Sequence, residues 1–192
     1  MTDNDTATTE WLSDLAEPSD IVVEDTVPDR VLGRALVIVV DDRGAHAAGP
    51  KPVGALVTEL LEEADFFVDG VVVVPSDEVA VRNALNTAVI GGVDLAITIG
   101  GVGVGARDVT PEATEEILDK KLPGICEALR ASGLAAGATD ACLSRGLAGV
   151  SGSTVVVNLA SSRAAVRDGM ATLCPLAAHV IEHVAGADDQ AE

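Results

Sequence analysis

Four short runs of β-branched and aliphatic residues recur along the chain: Ala35 to Val40 (ALVIVV), Gly70 to Val74 (GVVVV), Asp94 to Ile99 (DLAITI) and Thr154 to Leu159 (TVVVNL). Each is too short for a buried helix and too uniformly apolar for a strand with one wet face, so each predicts a parallel strand covered on both sides. The intervening segments change to helical spacing. Pro52 to Ala64 sets Val53, Leu56, Val57, Leu60 and Leu61 on one face, with Glu59, Glu62 and Glu63 opposite. Ser76 reads as the N-cap of a second helix, with Asp77 and Glu78 in its first turn. Val81, Leu85, Ala88 and Val89 carry that helix to the Gly91-Gly92 stop.

Thr110-Pro111 predicts a third helix, with threonine as cap and proline at the first helical position. Pro123 to Ala131 predicts a fourth, ended by Gly133. Ser161 or Ser162 caps a fifth running to Met170. A last helix over Thr172 to Val184 turns Leu176, Val180 and Val184 inward.

Strands alternating with helices specify an α/β fold with a mostly parallel sheet and helices on both faces, a three-layer α/β/α sandwich over residues 31–185. Ligands of such sheets bind beyond the carboxyl ends of the strands. The turn after Ile99 and the turn from Asn158 to Ser162 both fall there.

Composition bounds the function. The 192 residues carry 31 acidic and 12 basic side chains, a net charge of -19. With one Trp, two Phe and no Tyr there is little to stack a base on, and the charge opposes a phosphate backbone. Nucleic acid is therefore excluded as a partner. Residues 1–29 hold nine acids and no base, and read as a poorly ordered arm with a short helix near Thr9; residues 186–192 read as an acidic tail. Only Lys51, Lys120 and Lys121 are lysines, and this lysine-poor acidity points to the cytoplasm of a halophilic archaeon. Neither a signal peptide nor a membrane-spanning run is found. Cys126, Cys142 and Cys174 are odd in number and widely spaced, which predicts free thiols in a reducing compartment.

The densest chemical signal is Ile99 to Ala113, IGGVGVGARDVTPEA. Its glycines bring bare backbone N–H groups together ahead of a helix, a cradle for an anion such as phosphate. Gly101, Gly103 and Ala106 also fit G-x-G-x-x-G/A. However, the motif follows the third strand rather than the first, and no strand-end acid stands about 20 residues on. A P-loop is excluded, because no lysine follows the glycines. His179 and His183 lie four apart without a third metal ligand, His46 falls in a loop, and Ser144 lacks partners for a triad.

Gly100, Gly101 and Gly103, followed by Arg107-Asp108-Val109-Thr110-Pro111-Glu112-Ala113, resemble the MoaB/MogA molybdopterin-binding family of molybdenum cofactor biosynthesis, which is related to a domain of gephyrin. The family pattern reads T-x-G-G-T-G-x-x-x-R-D-V-T-P-E-A. The resemblance continues through Pro123-Gly124, Glu127, Arg130, Leu143-Ser144-Arg145, Ala148-Gly149-Val150 and Val156 to Leu159. It implies a molybdopterin-binding-domain-like sandwich that assembles as a homotrimer or hexamer. It also implies molybdopterin binding and, in the catalytic members, transfer of AMP from Mg-ATP to the pterin's phosphate.

Carried across, Asp108 is the catalytic carboxylate and the ligand that positions Mg²⁺. Gly100, Gly101, Gly103, Arg107, Thr110, Asp42, Ser144, Asn158, Ser161 and Ser162 are the substrate and phosphate contacts. Asp42-Arg43 match two places of the family's Ser-Asp-Arg. Three departures surround this site: Val102 for the threonine of GGTG, Ser76 for a second aspartate (with Asp77 one place on), and Ala160 to Arg163 in place of P-G-x-P. They define the alternative reading, a non-catalytic paralogue that keeps the fold and the trimer but binds an altered ligand.

Overall fold

The computed structural model describes residues 31–42 and 52–188. The strands are β1 (Gly33–Val40), β2 (Phe66–Val74), β3 (Leu95–Ile99), β4 (Lys120–Lys121), β5 (Ala148–Ser151) and β6 (Thr154–Leu159). The helices are α1 (Pro52–Glu62), α2 (Glu78–Ile90), α3 (Thr110–Glu115), α4 (Pro123–Ala135) and α5 (Arg163–Asp188), with a 3₁₀ turn over Thr139–Leu143. The expected helix near Thr9, the acidic arm, Arg43, His46 and the last four residues lie outside the described residues.

One six-stranded sheet runs in the order β2-β1-β3-β6-β5-β4. The first four strands are parallel; β5 and β4 add an antiparallel margin. Period-two alternation divides the core into the two outer layers. Ala35, Val37 and Val39 of β1 face the cluster that holds Leu61, Met170 and Leu173, while Ile38 and Val40 face the one that holds Val81 and Leu85. The three-layer sandwich expected from the alternation is therefore present. No helix among the described residues is long and apolar enough to cross a membrane.

Several local expectations are corrected. The two C-terminal helices are one, continuous through Pro175. Val166, Met170, Leu173 and Ala177 form one apolar stripe at helical spacing, and its burial outweighs the hydrogen bond that proline removes. Gly133 does not end α4 but lies buried within it, where a Cβ would come 2.7 Å from Ala141 Cβ. The cap of α2 is Asp77, which accepts from Ala80 N at 3.0 Å, not Ser76. Strand β2 begins four residues before Gly70. Asp69 is accommodated by a register shift opposite Ala35/Leu36 and by pairing with Arg34 (Nε–Oδ1 3.1 Å).

Candidate functional site

Ile99 is the last residue of β3, and the chain must leave the sheet there beside β1 and β6. Gly100 (φ +105°) and Gly101 (φ +67°) make that exit in the left-handed region. A Cβ on Gly100 would approach Val40 O to 2.7 Å, so the close passage alone demands glycine. Gly100 N donates to Leu159 O at 2.9 Å, which ties the turn to the end of β6. Val109 rather than Thr110 caps α3. The buried Thr110 hydroxyl instead donates to Gly100 O at 2.8 Å, and Thr110 N donates to Gly101 O at 3.1 Å. Thr110 thus fixes the turn from beneath.

A cleft of about 480 Å³ opens over this turn. Gly100, Gly101, Gly103, Asp108, Ser144, Asn158, Ser161 and Ser162 line it, so eight of the residues singled out from the sequence meet in one place. Asp108 Oδ2 accepts from Gly105 N at 2.8 Å and closes the loop on itself. Its Oδ1 accepts from no described group. The amides of Gly101, Val102, Gly103 and Val104 likewise donate to no described acceptor. A run of unpaired N–H groups beside one open carboxylate oxygen can receive a phosphate together with a hard cation.

Asn158 lies at the wall of the cleft, but its side chain serves the fold. At 3% exposure its Oδ1 accepts from Leu147 N (2.9 Å), while Nδ2 donates to Thr98 Oγ1 (2.8 Å) and Thr114 Oγ1 (2.9 Å). This network joins β3, β6, α3 and the segment ahead of β5. Ser162 accepts from Ala165 N at 3.2 Å and so caps α5, which settles the choice between Ser161 and Ser162 as cap. Ser144 Oγ accepts from Gly146 N at 3.3 Å.

Asp42, Arg107 and Thr110 do not line the cleft. Arg107 forks onto Asp42 (Nη2–Oδ1 2.6 Å, Nε–Oδ2 3.1 Å), and Asp42 Oδ1 also accepts from Ser76 N at 2.9 Å. The Arg107 hydrogen bonds, with help from Ser76 N–H, hold the Asp42 carboxyl below the usual carboxylate range. This latch joins the end of β1, the β2–α2 loop and the glycine-rich loop.

The sequence reading passed over Arg145, although it quoted the residue inside Leu143-Ser144-Arg145. Its guanidinium donates to Gly103 O (2.6 Å) and Asp108 O (2.5 Å) and pairs with Glu112, while its backbone N donates to Val102 O at 2.8 Å. Arg145 keeps the Glu112 carboxyl below the carboxylate range. The available signal was an arginine directly after a candidate site serine in a chain with few cations. Arg130, Asp140 and Asp168 also line the cleft, and Asp168 accepts from Ser132 Oγ at 2.9 Å. The Cys126 thiol there is pushed up by burial, away from nucleophilic use.

Residues 36–179 match the family model described as "Probable molybdopterin binding domain". The molybdopterin adenylyltransferase of Pyrococcus furiosus is 31% identical over 151 residues, covering 77% of this chain and 88% of that one. The molybdenum cofactor biosynthesis bifunctional protein of Chlorobaculum tepidum is 30% identical over 153 residues, 80% of this chain and 49% of the other. The chain thus spans about half the length of that relative, and less of the cinnamon protein of Drosophila melanogaster (15%). Among solved structures, a molybdopterin biosynthesis protein from Mycobacterium abscessus is 62% identical with a TM-score of 0.78, covering 82% of this chain and 99% of that one. The family match, residues 36–179, spans the glycine turn, Asp108 and Asn158, and the chain belongs to the molybdopterin-binding domain family of molybdenum cofactor biosynthesis proteins.

Proposed function

We propose that this protein binds molybdopterin and transfers the adenylyl group of ATP to its terminal phosphate. In that step a phosphate oxygen of molybdopterin attacks the α-phosphorus of ATP. The bond to the bridging oxygen of the β-phosphate breaks, and pyrophosphate leaves with the electron pair. The observation that carries the reading is the unpaired amide run from Gly101 to Val104 beside Asp108 Oδ1 in one cleft. Relatives called molybdopterin adenylyltransferases support the same substrates.

The donor set suits Mg²⁺, which takes one or two carboxylates and completes its shell with water and substrate phosphates. Asp108 would hold it, and the ion would neutralise phosphate charge. The amides of the glycine turn bind and orient the phosphates. Arg107 of the same loop, if released from Asp42, would be a second source of positive charge.

The test is adenylyl transfer by the purified chain supplied with molybdopterin, ATP and Mg²⁺, followed by pyrophosphate release and by mass spectrometry of the product. Asp108→Asn is expected to lower kcat by about 10²-fold or more, the order lost with one preorganised charge-stabilising group. Equal activity of the variant would remove Asp108 from the mechanism. Molybdopterin binding by the wild type without pyrophosphate release would instead establish the non-catalytic reading.

A further inference from the structure

The glycine-rich loop has a weakness that its own residues do not repair. Between Gly103 and Asp108 its internal bonds are Gly105 N to Asp108 Oδ2 (2.8 Å) and Asp108 N to Gly105 O (3.0 Å). Both close the loop on itself and neither ties it to the sheet. Four consecutive residues there, Val104 to Arg107, are exposed. Such a segment reorients at little cost unless something outside holds it. Among the described residues two outside side chains do so, Asp42 and Arg145. Arg107 reaches Asp42 from the outer surface, and Arg145 reaches in from the loop before β5.

Arg145 holds the two ends of the segment at once. Nε donates to the carbonyl of Gly103 and Nη2 to that of Asp108, so one rigid planar fork spans the base of the loop. Its backbone N holds the carbonyl one residue earlier, at Val102. In a planar trans peptide the C=O and N–H point opposite ways. With the Val102 and Gly103 carbonyls turned onto Arg145, the Gly103 and Val104 N–H groups are turned away from it, and these two residues line the cleft. Glu112 on the outer side fixes the guanidinium in turn.

We propose that Arg145 is a positioning residue for this site: it sets the Asp108 carboxylate and the Gly103–Val104 amides in the arrangement that receives the phosphates, without touching the substrate itself. The inference rests on the adenylyl-transfer reading for its catalytic consequence, but the loop geometry it describes does not. Lysine can replace the charge of Arg145 but not the fork, because its single ammonium cannot hold both carbonyls in the same geometry.

The experiment compares wild type, Arg145→Lys, Asp108→Asn and the double variant, with folding checked by far-UV circular dichroism and thermal midpoint. In Arg145→Lys, kcat is expected to fall by up to about 10²-fold, the loss typical of a small misplacement of reacting groups, with the KM for ATP changed less than about 3-fold. The double variant is expected to lose less than the product of the two single losses, because the part of the effect of Arg145 that runs through the Asp108 carboxylate is already gone. Native-state hydrogen exchange supplies a readout independent of activity. The Gly105 and Asp108 amides should exchange at least about 10-fold faster in Arg145→Lys, with the β3 amides unchanged. Multiplying kinetic losses, or loop exchange equal to the wild type, would overturn the proposal. If the wild type transfers no adenylyl group, the functional reading fails, and the exchange comparison alone decides the role of Arg145.

Discussion

Replacing Gly101 by alanine should be among the most damaging single-methyl insertions in this protein, and its cost can be assembled from the structure. At φ +67° an alanine carries the left-handed penalty of about 1–2 kcal/mol. The new Cβ would also overlap the Thr110 hydroxyl and lie 3.4 Å from Thr110 Cβ and 3.5 Å from Val40 Cγ1. Thr110 is fully buried at the start of α3 and cannot swing into solvent, so overpacking adds about 1–3 kcal/mol. Displacing its hydroxyl also breaks the bond to Gly100 O, worth about 1 kcal/mol. The expected loss is about 3–6 kcal/mol, a large share of the stability of an ordinary domain. Gly152, in the turn between β5 and β6, is the matched control. Its φ is +57° with nothing within 4 Å of the position a Cβ would take, so alanine there should cost only about 1–2 kcal/mol. Urea unfolding followed by circular dichroism at one ionic strength measures both. In the Gly101→Ala background, Thr110→Ala should cost less than it does in the wild type, because the clashing atom leaves with it. If the two glycine variants agree within about 0.5 kcal/mol, the overlap argument is wrong and only backbone conformation matters.

Asn158→Leu keeps the volume but strips Leu147 N–H of its acceptor and Thr98 and Thr114 of their donor, at about 2–4 kcal/mol in urea unfolding; a neutral result would mean that water replaces the amide. The acid side of the stability profile is set partly by Asp42 and Glu112, whose folded pKa values are lowered by Arg107 and Arg145 respectively. Groups shifted down stabilise the fold above the ordinary carboxylate range and lose that contribution as pH falls through their lowered folded values. Asp42→Asn should therefore be less stable than wild type at pH 7 and converge with it on acidification; a gap that stays constant down to pH 3 refutes the assignment.

The layers of this fold were legible because strand and helix periods separate cleanly in an aliphatic sequence. Four apolar runs gave the four parallel strands of the sheet. The antiparallel margin was not visible. Lys120–Lys121 is two exposed residues, and Ala148–Ser151 carries a glycine and a serine, so neither shows a strand period. The break assumed near Thr172 failed because the stripe from Val166 to Ala177 that keeps the helix continuous is a tertiary fact. At the site, residue types located the turn and Asp108 but not the division of labour. Thr110 and Asn158 look like ligands in sequence, yet their polar atoms are satisfied inside the protein. Arg145 looks like a surface charge, and only the folded loop shows which carbonyls it holds.

The departures from the family pattern bear differently on the cleft once their backbone is known. Loss of glycine from the Ala160 to Arg163 segment would strain the loop only if a left-handed residue were needed there. Asp65 is the one non-glycine residue with positive φ among the described residues, so Ala160, Ser161 and Ser162 adopt ordinary conformations. The replacement adds the Ser162 cap to α5 and hydroxyls to the lining of the cleft. Val102 is buried, and what it supplies to the loop is its carbonyl, held by Arg145 N, which any residue provides. Ser76 likewise contributes its backbone N–H to Asp42, while Asp77 caps α2 one residue later. At Val102 and Ser76 the structural role is carried by the main chain, whereas Asp108, Arg145 and the two left-handed glycines act through properties that no neighbour duplicates. The geometry of the cleft therefore rests on the turn from Gly100 to Asp108 and the arginine that grips it.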